Sequence, residues 1–274
     1  MKGANRVKKR NALYIYAKND KASQQLRQEL GTAIDAQGLE VVLSPEEASI
    51  IVSVGSDGSF LQAVRKTGFR QDVLYAGIST SGTLAMYCDF LLEELHFPNM
   101  ADAIIQDRVE VRKYPVIEVS VNGEPHFYCL NEFAIRSNIM KTIAMDVKID
   151  DILLETYRGD GIVVSTPTGS SAYNKSLGGA VVDPQLPCFQ VTEVASMNNN
   201  EYRSLGSPFI LSGNRTLRLE LHDDWNDYPT MSTDNEALSI QHVNTIDIRL
   251  SERVVKTVKL KDNSYWEKVK RSFL

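Results

Sequence analysis

The chain has 274 residues, with 30 Lys and Arg against 35 Asp and Glu for a net charge of −5. Its 43% hydrophobic and 24% charged content is that of a folded globular protein and excludes a disordered one. A mildly acidic chain also lacks the clustered Lys and Arg that phosphate-backbone contacts need, so no nucleic-acid partner is expected.

In chain order, the basic run Arg6, Lys8, Lys9, Arg10 precedes a short apolar run from Ala12 to Ala17 that ends at Lys18-Asn19-Asp20. A secretory core needs roughly 7–15 apolar residues and a membrane span roughly 20. The run therefore reads as a solvated arm, and the chain as soluble and cytoplasmic with no membrane partner. Ala12–Ala17 is a buried strand. Asp20 caps a helix whose Leu26, Leu30, Ala33 and Ile34 share one face, and Gly38 follows as its C′ glycine. Strands are predicted at 39–43, 50–54 and 73–78, with a helix through Phe60, Leu61 and Val64 closing near Gly68. Leu91, Leu92, Leu95 and 101–105 read as helical. This alternation predicts a Rossmann-like parallel sheet with helices on its faces.

After about residue 108 the pattern changes to short alternating strands. Val109–Tyr114 and Ile117–Val121 lead to the hairpin turn Asn122-Gly123, and 127–135 returns. Further strands are predicted at 145–149, 153–157, 162–165, 189–195, 216–221 and 245–250, with one helix between Ser170 and Leu177. A terminal helix within 263–273 is expected to dock on the first domain. The fold class is thus an α/β N-terminal domain plus a β-rich C-terminal domain. Residues 1–108, joined by 252–274, form the first and 109–251 the second. Cys88, Cys129 and Cys188 lie far apart, form no CxxC pair, and read as buried thiols in a reducing compartment.

Three segments carry chemistry. Gly55-Ser56-Asp57-Gly58-Ser59 follows a buried strand and opens a helix, so backbone N–H groups are available for phosphate there. Gly55 and Gly58 permit close approach and positive φ. A carboxylate beside phosphate is costly unless it is screened by a metal or takes a proton during reaction, so the segment reads either as an ordinary Asp/Gly turn or as a site with Asp57 as candidate general base for phosphoryl transfer. Tyr157-Arg158-Gly159-Asp160-Gly161 leads into Thr166-Pro167-Thr168-Gly169-Ser170-Ser171-Ala172-Tyr173-Asn174-Lys175-Ser176. Its hydroxyls and ring can hydrogen-bond a base edge, a ribose and a phosphate, and stack on a base. Asn131-Glu132 can serve one ligand only at a strand end or bulge, because adjacent strand residues face opposite ways. No Walker A string and no protein-kinase motif set is present.

With these segments in this order, the chain resembles the NAD kinase family from about residue 12 to 250. The marks are the GGDG-type turn at Gly55–Gly58, Asn131-Glu132, Asp160-Gly161 and the TPTGSTAY-type string at Thr166–Tyr173. The resemblance implies ATP-dependent phosphorylation of the adenosine ribose 2′-hydroxyl of NAD, with Asp57 taking the proton. It implies that Gly58 lets the dinucleotide approach and that Asn131 and Glu132 hold adenine and ribose groups. Arg158 and Asp160 would contact the nicotinamide half, at or across a subunit interface. Thr166, Ser171, Ala172, Tyr173 and Ser176 would complete the NAD site, and Gly55, Ser56 and Ser59 the phosphate turn. The family pattern places the site between the two domains of a homodimer or homotetramer. The phosphoryl donor would be ATP, or polyphosphate, with magnesium carried on its phosphates rather than in a protein cage.

The chain departs from the pattern at Ser56, where a second Gly is usual, and at Ser59, where Thr is usual. Thr83-Leu84-Ala85-Met86 replaces a His-Leu-Gly-Phe stretch, and Asp234-Asn235 stands where Asp-Gly is common. Together these resemble the second type of NAD kinase of Gram-positive bacteria. Lipid and sugar-phosphate kinases share the GGDG-like turn, but the Thr166–Tyr173 string and the lack of a membrane-docking segment speak against them. A dinucleotide-binding regulator without catalysis is the other alternative, disfavoured by Asp57.

Overall fold

The computed structural model describes residues 12–35, 39–92, 109–124, 126–137, 141–222, 229–234, 236–261 and 263–274. The basic run 6–10, Gly38, the helical segment expected at 101–105 and Asn235 lie outside the described residues. Two compact units are present: Met1–Lys113 with Val255–Leu274, and Tyr114–Val254. The sequence places the boundaries at 108/109 and 251/252; the divide falls a few residues later in each case, inside a strand.

In the α/β unit, β1 (Ala12–Tyr16) leads through α1 (Lys21–Asp35) to the two-residue β2 (Glu40–Val41). Then β3 (Ile50–Gly55) leads through α2 (Asp57–Lys66) to β4 (Leu74–Ser79). The sheet runs β2-β1-β3-β4, all parallel, as strand–helix–strand crossovers require. Asp20 accepts the Ser23 N–H at 2.9 Å and so caps α1. Leu13, Ile15, Leu30, Ile34, Val52, Val54 and Ile78 form the core between sheet and helix. Leu91 is not helical: β5 (Phe90–Leu91) pairs parallel with Ile78 and Ser79 at the end of β4. A two-residue strand has no periodicity of its own, and its apolar neighbours gave a helical reading.

The β-rich unit is a pair of antiparallel sheets. The hairpin of β6 (Val109–Val121) and β7 (His126–Cys129) turns at Asn122 (φ 52°) and Gly123 (φ 85°), both left-handed as a type I′ turn needs. β9 (Ile143–Ile149), β10 (Ile152–Gly159), β14 (Thr216–Leu221) and β17 (Thr245–Leu260) pair in the order β10-β9-β14-β17. The six-stranded sheet is β13-β12-β11-β8-β15-β16, built from β8 (Glu132–Arg136), β11 (Gly161–Ser165), β12 (Cys188–Val194), β13 (Phe209–Ser212), β15 (Thr230–Thr233) and β16 (Glu236–Leu238). Phe133, Met145, Tyr157, Ile162, Phe189, Leu217 and Ile246 fill one continuous core.

The apolar return 127–135 is two strands in different sheets, broken at Leu130–Asn131. The helix expected between 170 and 177 is a 3-10 turn at Thr168–Ser171 followed by a single turn at Tyr173–Ser176. Strands β13, β15 and β16 are only three or four residues long, too short for a periodic signal. The terminal helix α3 (Tyr265–Phe273) is capped by Ser264, whose hydroxyl accepts the Glu267 N–H at 3.2 Å, and it belongs to the α/β unit.

Candidate functional site

In the α/β unit the glycine-flanked turn is built by opposed demands on its residues. Gly55 sits at φ 136°, and a Cβ there would collide with the Ser59 side chain. Ser56 has φ −99°, an ordinary value, so the missing second glycine costs no strain. The Ser59 hydroxyl, buried, accepts the Ser56 N–H at 3.4 Å, closing the turn on itself. Gly58 lies in the first turn of α2 with no left-handed backbone, and a Cβ there would meet only the Ser56 hydroxyl at 3.6 Å. Its bare Cα thus serves open space rather than backbone geometry.

Asp57 is the first residue of α2, where the helix dipole favours an anion. Its Oδ1 accepts the Tyr87 N–H at 2.8 Å and its Oδ2 the Met86 N–H at 3.0 Å. Two successive N–H groups thus fix the carboxylate by both oxygens. Each oxygen keeps further lone-pair capacity, because a carboxylate has about four acceptor sites. The Thr83–Met86 departure leaves this contact intact, since Met86 makes it with its main chain.

In the β-rich unit the hub is Asp234, whose side chain sequence reading did not single out. It is 2% exposed and holds φ 44°. Its carboxylate accepts the N–H groups of Leu130 at 2.7 Å, Asn131 at 2.6 Å and Glu132 at 3.2 Å. Its own N–H donates to the Glu132 carbonyl at 3.0 Å. Three consecutive N–H groups bent around one anion explain why the strand breaks at Leu130–Asn131. The pair Asn131-Glu132 therefore sits at a strand end, the one place where both side chains can serve one ligand.

Beside this bend lies the hydroxyl-rich segment, in register through the pair Ser165 and Glu132. The Asn131 carbonyl accepts the Thr166 N–H at 2.8 Å, and a Cβ on Gly169 would collide with the Asn131 backbone. The hydroxyls chiefly serve the chain itself. Thr166 and Thr168 donate to the Leu130 carbonyl at 2.6 and 3.1 Å. Ser170 donates to the Pro167 carbonyl at 2.6 Å, and Ser171 to that of Thr168 at 3.3 Å. All four are buried. The segment is first an architecture that shapes a surface, and only secondarily a row of ligand donors. Ala172 and the Tyr173 ring are half-buried and Ser176 is exposed, with the Tyr173 hydroxyl accepting from Arg136 at 3.1 Å.

Glu132 is the electrostatic anomaly. Burial, and then the charge of Asp234, push its carboxyl from 4.5 up to about 8. Its Oε2 is buried with no hydrogen-bond partner among the described residues. A carboxyl that keeps its proton at neutral pH can donate as well as accept. Arg158 stacks 4.6 Å over the Tyr202 ring and donates to the Thr142 hydroxyl at 2.9 Å, whereas the Asp160 side chain is exposed. Among the described residues no group of three or more His, Cys, Asp or Glu is placed to hold a metal ion. Among them, too, no helix is long and apolar enough to cross a membrane.

A helix-opening carboxylate on the α/β unit, and a bent Asn-Glu strand end against a Thr/Ser-rich turn in the β-rich unit, are the marks by which the sequence resembles a family of nucleotide-directed phosphotransferases. The model of the ATP-NAD kinase C-terminal domain matches residues 130–260. A Geobacillus kaustophilus protein named NAD kinase 2 is 56% identical over 265 residues, covering 97% of this chain and 98% of its own length. Among solved structures, yeast NADH kinase in complex with NADH superposes with a TM-score of 0.80 at 19% identity, over 95% of this chain and 85% of that one. An NAD kinase from Archaeoglobus fulgidus in complex with ATP gives 0.72 at 24% identity, over 95% and 97%. The chain belongs to the NAD kinase family.

Proposed function

We propose that the chain transfers the γ-phosphoryl group of ATP to the adenosine ribose 2′-hydroxyl of NAD, giving NADP and ADP. The observation that carries this reading is 56% identity across 97% of the chain to a protein named NAD kinase 2. Asp57 accepts the hydroxyl proton as the 2′-oxygen attacks the γ-phosphorus in line and the bond to the ADP oxygen breaks. Support for that role comes from the two N–H groups of Met86 and Tyr87, which orient the carboxylate and leave acceptor capacity on it. Gly58 gives the sugar room, and the first-turn N–H groups after Ser56 face phosphate. Glu132, as a neutral carboxyl, and Asn131 hold ribose and adenine groups, with Tyr173 and Ala172 against the base. Arg158 and Asp160 belong to the nicotinamide end.

Magnesium arrives on the triphosphate; an ion that keeps most of its water needs few protein ligands. We place the enzyme in the cytoplasm, a reading supported by three buried free cysteines. Self-association is proposed from β10, the terminal strand of its sheet, on which Ile152, Leu153 and Leu154 are exposed. The activity is tested by incubating purified protein with NAD, ATP and Mg²⁺ and reading NADP with an NADP-specific dehydrogenase. Sustained NADP formation is expected; ATP-dependent turnover that yields no NADP overturns the reading.

A further inference from the structure

The α/β unit buries a charge cluster that the proposed chemistry does not use. Lys259, at the end of β17, and Lys268, on α3, have fully buried side chains, and so does Asp89 between them. Lys259 Nζ lies 3.2 Å from Asp89 Oδ1, and Lys268 Nζ contacts the same oxygen. The other carboxylate oxygen accepts the Leu260 N–H at 3.1 Å. Both ammonium groups also reach one short stretch of main chain. Lys268 Nζ donates to the Met86 carbonyl at 3.0 Å and Lys259 Nζ to the Tyr87 carbonyl at 2.7 Å.

That stretch is the one that holds Asp57. The Met86 carbonyl and the Tyr87 N–H belong to a single peptide unit: Lys268 donates to its oxygen, and its N–H donates to Asp57 Oδ1 at 2.8 Å. Such a chain of hydrogen bonds polarises itself, each link strengthening the next. Tyr87 is fixed further by its ring, stacked on Phe60 of α2 at 5.0 Å. Gly77 of β4 lets the segment come close, since a Cβ there would stand 2.8 Å from the Tyr87 carbonyl oxygen.

Electrostatics makes the arrangement costly as a mere staple. Burial, and then Lys259, pull the Lys268 amine down to about 7, with Asp89 opposing. Cys88, enclosed by the cluster, is pushed up to about 12, chiefly by burial, with Asp57 and Asp89 adding and both lysines opposing. Asp57 and Asp89 are the two carboxylates acting on the same thiol. Buried ions rarely repay their desolvation in stability, so their value here lies elsewhere.

We propose that Lys268, with Lys259 and Asp89, is a positioning residue for Asp57, holding the catalytic carboxylate through the Met86–Tyr87 peptide unit. The inference rests on Asp57 being the base of the proposed reaction. The test is a double-mutant cycle on the full-length protein with Lys268→Met and Asp57→Asn, reading kcat and KM for NAD. Methionine keeps the volume and leaves Lys259–Asp89 as a balanced pair, so the variant is expected to fold. Lys268→Met should lower kcat at least ~10-fold with KM for NAD within ~2-fold, as misplacement of a catalytic group does. In the Asp57→Asn background the same change should cost less than ~2-fold. Equal losses in both backgrounds overturn the inference and leave Asp57 in its role. Wild-type turnover of Asp57→Asn alone overturns the base assignment, and the inference with it. Should Lys268→Met fail to fold, Lys268→Leu, which likewise has no donor for the Met86 carbonyl, takes its place in the same cycle and is judged by the same outcomes.

Discussion

At the residue scale the two units each hold carboxylates in contrasting settings. Asp57 and Asp234 each gather successive backbone N–H groups, whereas Glu132 Oε2 is buried with no hydrogen-bond partner among the described residues. The consequence is a pH dependence of folding. Glu132 rises from 4.5 to about 8 in the folded chain, so between those values the folded state holds a proton that the unfolded state releases. Its contribution to stability is full below about pH 4.5 and is lost as pH rises toward 8, at up to about 1.4 kcal/mol per unit. Glu132→Gln keeps a neutral group of the same shape and removes that slope. Urea midpoints at about pH 5.5 and 7.5 should show the wild type losing at least about 1 kcal/mol more than the variant over this interval. A difference that stays constant with pH contradicts the assignment. Asp57 could be singled out in the sequence as a candidate base, because it stands between glycines at a helix start where phosphate is expected. The hub role of Asp234 could not, because a buried Asp that binds the backbone of residues about a hundred positions away leaves no local spacing to read.

At the scale of elements, the Thr166–Ser171 turn is held against the Asn131 bend by contacts with no spare volume. A Cβ on Gly169 would collide with three backbone atoms of Asn131, none of which belongs to a side chain able to move aside. Gly169→Ala should therefore destabilise the fold by about 1–3 kcal/mol, the usual cost of overpacking. Gly31, in the middle of α1 with nothing within 4 Å of its built Cβ, is the control. Gly31→Ala should be neutral or stabilising by up to about 1 kcal/mol, as a helix interior prefers Ala. Thermal unfolding of the two variants reads the contrast; equal stabilities would show that the turn and the bend do not meet as described. The strand–helix alternation of the first unit and the Asn122-Gly123 hairpin were readable from periodicity and turn chemistry. The break between β7 and β8 was not, since 127–135 reads on through Asn131-Glu132 as one strand, and the Asp234 carboxylate that bends it lies about a hundred residues away. The 3-10 turn at Thr168–Ser171 escaped for a related reason. Its hydroxyls bond their own backbone, a preference that competes with an α-helix and leaves no 3.6-residue pattern.

At the scale of the whole molecule, the change from alternating helices and strands to short strands marks two units, with a C-terminal helix returning to the first. The boundaries fall inside β6 and β17, where nothing in composition changes. Three consecutive apolar residues exposed on the terminal strand β10, with Ile152 at 73%, make a lone chain in solution an uncovered edge. Light scattering at micromolar concentration should give the mass of a dimer or larger; a monomer mass contradicts self-association. The central claim, that Asp57 takes the 2′-hydroxyl proton of NAD, is tested most directly by one comparison. Wild type and Asp57→Asn are assayed for NADP formation from NAD, ATP and Mg²⁺, with NAD affinity measured in parallel. The account predicts that kcat falls by ~10²–10⁴-fold while the variant stays folded and binds NAD as before. Turnover near that of the wild type would contradict it.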